Sequence, residues 1–171
     1  MKPQSQISHS PGEHRSREML ERLRAEGLKL TAQRRAIVQQ FAADESHPTA
    51  QELFERLRGD FPKMSFATVY NTLDALTHVG LSSTLRFSGS TEVGGREANA
   101  ARFDPNIEPH HHAVCDRCGS VSDIPAKSLA PADAAARSLR GVAPGFELRA
   151  VERIYRGLCS SCRGKKRFKK V

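Results

Sequence analysis

Ser65-Phe66-Ala67-Thr68-Val69-Tyr70-Asn71-Thr72-Leu73-Asp74-Ala75-Leu76 is followed, after a break at Gly80, by Leu81-Ser-Ser-Thr-Leu-Arg-Phe87, and the change of pattern between them decides how the first half of the chain reads. Val69, Leu73 and Leu76 recur at i, i+4 and i+7, the spacing of one helix face, and Ser65 is an N-cap whose hydroxyl accepts a backbone N–H. Residues 81–87 read as a strand, with a second strand expected around residues 101–103. The polar side of the helix carries Ala67, Asn71 and Asp74, flanked by Thr68 and Tyr70.

Upstream, Thr49 and Glu52 form a T-x-x-E capping box for a helix ending near Arg58, with Leu53, Phe54 and Leu57 turned inward; Gly59 and Pro62 then break the chain. Thr31 caps a helix running to about Ala42, in which Ile37 and Phe41 stand one turn apart. A first helix is expected over residues 17–26, with Met19, Leu20 and Leu23 on one face and Gly27 as its stop. Residues 1–16, polar and punctuated by Pro3, Pro11 and Gly12, read as a flexible arm. Three closely spaced helices followed by a small hairpin predict a winged helix-turn-helix over residues 17–103, with residues 65–78 as recognition helix. Ala67 permits close approach to a groove, Thr68 and Asn71 can bond base edges or phosphates, and Tyr70 can meet a phosphate or a thymine methyl. A polar helix face is also what any solvated helix shows, and Asp74 opposes DNA.

The second half, residues 104–162, is organised differently. A strand over residues 111–115, a turn at Cys118 and Gly119, a helix over residues 129–139 and a strand over residues 146–155 make a small α+β module. Between the halves, residues 88–100 contain Gly89, Gly94 and Gly95 and read as a mobile loop. The fold class expected is therefore α+β.

The formal net charge of +8 favours a polyanionic partner, nucleic acid above all, because each Lys or Arg placed on a phosphate releases a counterion. The tail of residues 163–171 supplies much of that excess through Arg163, Lys165, Lys166, Arg167, Lys169 and Lys170, and such a tail can equally be merely solvated. The N-terminus lacks the apolar stretch of a secretory signal, and no run is long enough to span a membrane, so a cytoplasmic protein with no membrane partner is expected.

Cys115-Asp-Arg-Cys118 and Cys159-Ser-Ser-Cys162 are two C-x-x-C knuckles, and four thiolates suit one tetrahedral Zn²⁺. A redox pair would appear once and beside a β-α-β pattern, which is missing here. Such a site has no open position, so its role is structural. His110 and His112 lie two apart on a predicted strand, so both rings point to one face and suit a shared ion, whereas His111 points to the other. His47, Asp104 and Asp123 complete a nitrogen and oxygen donor set fit for Fe²⁺, Mn²⁺ or Zn²⁺, although spacing assigns none of these three. By itself, His47 before Pro48 reads as loop packing.

Leu30-Thr-Ala-Gln-Arg34, His47-Pro-Thr-Ala50, Ser65 to Leu73 and His110-His-His-Ala-Val-Cys-Asp-Arg-Cys-Gly119, in this order, resemble the ferric uptake regulator family from about residue 28 to residue 162. The resemblance implies an N-terminal winged-helix DNA-binding domain, a C-terminal dimerisation domain, and a regulatory metal whose occupancy closes a homodimer onto a palindromic operator in double-stranded DNA. It implies DNA contacts by Arg34, Ser65, Ala67, Thr68, Tyr70 and Asn71. Within the family the chain is most similar to the peroxide-sensing repressors, whose ligand pattern falls on His47, Asp104, His110, His112 and Asp123; iron-uptake sensors typically carry glutamate at the last position. This implies Fe²⁺ or Mn²⁺ as regulatory ion, peroxide as signal rather than substrate, and His47 and His110 as the oxidised side chains. The oxidation is self-modification, so no enzyme is expected. Three departures stand out: the added length of residues 88–100, Pro109 and Val151 where iron-uptake members tend to carry histidines, and the basic tail. The rival readings are an iron- or zinc-availability sensor on the same fold, a zinc-stabilised protein binding nucleic acid through charge alone, and a hydrolase using the His/Asp site.

Overall fold

Ser10 starts the first helix. In the computed structural model, which describes residues 10–87, 100–128, 143, 146–147 and 151–164, its hydroxyl accepts from Glu13 N–H and the Glu13 carboxylate accepts from Ser10 N–H, with Pro11 at a position where no N–H is needed. Helix α1 (Pro11–Ala25) therefore begins six residues before the expected start at Arg17, and residues 11–16 of the expected arm are helical. Pro11 and Gly12 look like breakers in sequence, yet proline is a helix starter in the first turn. Residues 1–9 lie outside the described residues.

Helices α2 (Ala32–Ala42), α3 (Ala50–Leu57) and α4 (Phe66–His78) start at Thr31, Thr49 and Ser65, each capping the N–H three residues on. Their inward faces make one core of Met19, Leu23, Ile37, Val38, Phe41, Leu53, Val69, Leu73 and Leu76, closed by Phe103. Burying each of these side chains is worth roughly 1.5–3 kcal/mol. Gly80, at φ 75, ends α4, and Leu81 N–H returns to Leu76 O at 2.9 Å. Leu81 is consumed by that cap, so strand β1 is Ser83–Leu85 rather than residues 81–87. It pairs antiparallel with β2 (Arg102–Asp104), Ser83 opposite Asp104 and Leu85 opposite Arg102.

The described residues divide into two units, one running to residue 87 and resuming at residues 100–107, the other beginning at Glu108. Asp104 thus belongs with the first unit, because it ends β2, and not with the second module as expected. The second unit is a three-stranded sheet in the order β4-β3-β5. Strand β3 (His110–Cys115) pairs antiparallel with β4 (Val121–Pro125), a strand not anticipated from sequence, and parallel with β5 (Ile154–Gly157). A 3-10 turn (Ala126–Ser128) follows β4, and a short helix α5 (Ser160–Arg163) follows β5.

The strand expected over residues 146–155 is confined, among the described residues, to Ile154 and Tyr155 of β5; Phe146 and Glu147 are exposed outside any strand. Register explains this: with His112 opposite Ile154, residues 146, 147 and 151 would need partners upstream of β3, where the chain has left the sheet. The expected helix at residues 129–139 lies outside the described residues, as do residues 88–99 of the expected loop and residues 165–171 of the tail. Among the described residues no helix is long and apolar enough to cross a membrane.

Candidate functional site

The four cysteines converge within the second unit. Cys115 ends β3, and Gly119, at φ 69, turns the chain so that its N–H donates to Cys115 O while Cys115 N–H donates to Ser120 O, both at 2.9 Å. Cys159 and Cys162 bracket the first turn of α5, with Cys162 N–H on Cys159 O at 2.9 Å. The parallel β3–β5 ladder, with Cys115 opposite Gly157, carries one knuckle to the other. Cys118 Sγ lies 3.7 Å from Cys159 Sγ, and all four sulfurs lie within 4.8 Å of one another. A tetrahedron with Zn–S near 2.3 Å has edges of about 3.7 Å.

The thiols are free, and their acidities are split. Burial works to raise the Cys115 pKa, but backbone N–H groups of Cys159, Cys118 and Arg117 bring it down to about 6. For Cys162, burial and the neighbouring sulfurs of Cys159, Cys118 and Cys115 push the thiol up to about 12. The Ser120 side chain and backbone lower Cys118. Four clustered sulfurs cannot all ionise without a compensating cation, and a closed set of four thiolates fits zinc.

On the same sheet, His110 and His112 face one side, as the alternation predicts, and His111 is buried. His110 Nδ1 meets Glu108 O at 2.6 Å, and His112 Nδ1 meets a Glu152 carboxylate oxygen at 3.0 Å. Both partners can only accept, so both rings carry their proton on Nδ1 and present the Nε2 lone pair. The two Nε2 atoms are 2.9 Å apart. Two facing lone pairs are stable at that distance only with a proton or a metal ion between them, an arrangement that fits a ligand pair. Asp123 lies opposite His112 in the β3–β4 register and brings Oδ1 to 3.7 Å from His110 Nε2.

His47 and Asp104 come together in the first unit. His47 is 1 % exposed and stands at φ 54, in the left-handed region that non-glycine residues seldom occupy. The chain there is held by β2: Phe103 N–H donates to Pro48 O, and Arg102 Nη1 to His47 O, each at 2.9 Å. Arg102 also meets Glu52, whose carboxylate accepts from Thr49 N–H. This docking places Asp104 Oδ2 3.6 Å from His47 Nε2. Asp104 Oδ1 accepts from Asn106 N–H at 2.7 Å. The loop-packing reading of His47 misses this, because the partner is 57 positions away.

On α4, Ala67, Tyr70, Asn71 and Asp74 are exposed and Thr68 is half-buried. Ser65 Oγ accepts from Thr68 N–H, and the two hydroxyls lie 2.9 Å apart. Arg34 bonds Lys29 O and reaches Thr72 Oγ1 at 3.5 Å, so its guanidinium ties α2 to α4. Phe54, Phe66, Tyr70 and Phe103 form an aromatic row with centroids 6.1, 6.5 and 6.3 Å apart. Neither Arg102 nor Glu152 was among the candidates read from sequence; each acts across a tertiary contact that no local motif announces.

Comparison with known proteins gives a consistent outcome. Residues 25–143 match the ferric uptake regulator family. The peroxide-responsive repressor PerR of Staphylococcus aureus is 30% identical over 153 residues, covering 90% of this chain and 95% of that one. The structure of the Helicobacter pylori ferric uptake regulator superposes with a TM-score of 0.65 at 22% identity, over 89% of this chain and 96% of that one. The ferric uptake regulator of Francisella tularensis gives 0.61 at 20% identity, over 80% and 96%. The structural likenesses establish the fold, and with the sequence match they lead to one conclusion: the chain belongs to the ferric uptake regulator family of metal-responsive transcription regulators.

Proposed function

We propose that this protein is a homodimeric repressor that binds a palindromic operator in double-stranded DNA with Fe²⁺ or Mn²⁺ bound, and releases it when hydrogen peroxide oxidises His47 or His110. The observation that carries the reading is the pair of Nε2 atoms of His110 and His112, 2.9 Å apart, with an aspartate, Asp123, beside them. The identity with a peroxide-responsive repressor supports the same branch of the family. His47 and Asp104 are assigned as the remaining ligands, and the four cysteines as a structural Zn²⁺ site. Three imidazoles and two carboxylates favour a hard or borderline divalent ion and offset its charge. Bound Fe²⁺ would supply the electron that cleaves the peroxide O–O bond. One peroxide oxygen would end on a carbon of the protein's own imidazole and the other would leave as water, which would make the protein a single-use sensor rather than an enzyme.

The first unit is assigned as a winged helix-turn-helix, with α4 presenting Ala67, Tyr70 and Asn71 to DNA, Ser65 and Thr68 at its N-terminal turn, and Arg34 keeping α2 and α4 in register. Dimerisation is assigned to β5. Among the described residues no strand covers its outer edge, and Ile154, Tyr155 and Leu158 are 46 %, 39 % and 49 % exposed. An open apolar strand edge of this kind is ordinarily covered by another chain.

The test is to treat Fe²⁺-loaded protein with stoichiometric peroxide, measure operator binding against excess random DNA, and weigh the peptides. Added oxygen on His47 or His110 with loss of binding is expected. Binding that responds to metal and chelator but survives peroxide would establish an availability sensor instead. Binding abolished by random DNA and moderate salt would reduce the protein to charge-driven association.

A further inference from the structure

Glu152 has no place in the ligand set, yet it touches one of its members. The residue lies just before β5, and the parallel register brings it to His112: His112 N–H donates to Arg153 O at 3.0 Å, and the neighbouring Glu152 carboxylate accepts from His112 Nδ1, also at 3.0 Å. His112 is 2 % exposed, while the Glu152 side chain is 53 % exposed. One end of the imidazole is therefore bonded to a carboxylate at the surface, and the other end is turned toward His110 Nε2. His110 is held at the same atom by a different device, the Glu108 carbonyl at 2.6 Å.

We propose that Glu152 is a positioning residue for the regulatory metal: by accepting the Nδ1 proton of His112 it selects the tautomer that offers Nε2, fixes the ring's rotation and makes the imidazole a stronger donor. A histidine ligand whose far nitrogen is held by a carboxylate binds metal more tightly than one left to water, typically by 10- to 100-fold. The inference rests on the proposed assignment of His112 as a ligand. It adds a feature that the backbone acceptor at His110 lacks, since a side-chain acceptor can be changed without disturbing the strand. The bond also spans 40 positions, joining β3 to the entry of β5. Displacement of the 151–153 segment would therefore alter the ligand directly.

The experiment compares wild type, Glu152→Ala and Glu152→Gln as zinc-loaded dimers, titrated with Mn²⁺. Long-range ¹H–¹⁵N spectra of the His112 ring are recorded before Mn²⁺ is added. Glu152→Ala is expected to weaken Mn²⁺ binding by about 10- to 100-fold and to shift His112 toward the Nε2–H form. Glu152→Gln, whose amide oxygen still accepts the proton, is expected to stay within a few-fold of wild type with the Nδ1–H form retained. Unchanged Mn²⁺ affinity in Glu152→Ala, an unchanged tautomer, or equal loss in both variants would overturn the positioning role. If wild type itself takes up no Mn²⁺ beyond its zinc, the ligand assignment fails, and the tautomer comparison still decides whether Glu152 governs the ring.

Discussion

The two units are held together by different physics. In the first, fourteen buried apolar residues from α1 to β2 form one continuous core, and the helices are closed by side-chain caps. In the second, the buried apolar residues among those described are Val114, Cys115, Val121 and Cys162, two of which belong to the four-cysteine cluster proposed to hold zinc. A three-stranded sheet with so little apolar burial is marginal on its own. The contrast teaches that the first unit is stabilised by exclusion of water whereas the second depends on the ion proposed for its cysteines, so the two should fail under different insults.

The largest effect should come from removing zinc. Binding of a structural zinc contributes on the order of 10–16 kcal/mol to the folding of small domains. Replacing Cys159 with serine, or stripping the ion with a strong chelator, is expected to abolish the dimer and the sheet of the second unit while leaving the helical circular dichroism of α1–α4 largely intact. Sedimentation velocity read beside the far-ultraviolet spectrum checks both halves, and loss of helix together with the dimer would break the comparison. The converse is Leu73→Ala, which leaves a cavity in the first core at a cost of about 2–5 kcal/mol. It should lower the helical melting temperature with zinc content unchanged, measurable by calorimetry and metal analysis on one sample.

A smaller effect concerns Asp44, buried just after α2. Burial acts to raise its pKa, but the Ser46 hydroxyl and N–H, followed by the Arg56 guanidinium, bring it below the usual carboxylate value. A depressed carboxylate contributes stability that is present above its unfolded pKa and lost as pH falls through the lower, folded one. The first unit should accordingly lose on the order of 1 kcal/mol as pH falls through and below about 4. Asp44→Asn should already be destabilised at neutral pH and lack that part of the pH dependence, as thermal melts at pH 7, 4 and 3 would record. An unaltered pH dependence in the variant would remove Asp44 from the account.

Much of this was legible locally. Thr31, Thr49 and Ser65 each stand one residue before the helix they start, because a cap satisfies an N–H only three residues away. The shared side of His110 and His112 follows from strand alternation, and the cysteine knuckles from two-residue spacers. Most differences arise where distant partners decide; the start of α1 is instead local, since the Ser10–Glu13 capping box makes Pro11 a helix starter. β4 was overlooked because its five residues gain meaning only against β3, and the expected strand over residues 146–155 was too long because strand length is set by the partner available.

The amino-acid sequence by itself determined the starts of α2, α3 and α4, the α+β class and the grouping of the four cysteines as sulfur donors, since each depends on residues within a turn or on the chemistry of a side chain. Tertiary structure alone decided that Phe103 docks on Pro48 and so brings Asp104 to His47, and that the β3–β5 register delivers Cys159 to Cys118 and Glu152 to His112. These pairs are separated by about forty to sixty positions. Their meeting reflects backbone hydrogen bonding between strands and loops, which any sequence of suitable shape can make and which therefore leaves no mark in the residues themselves.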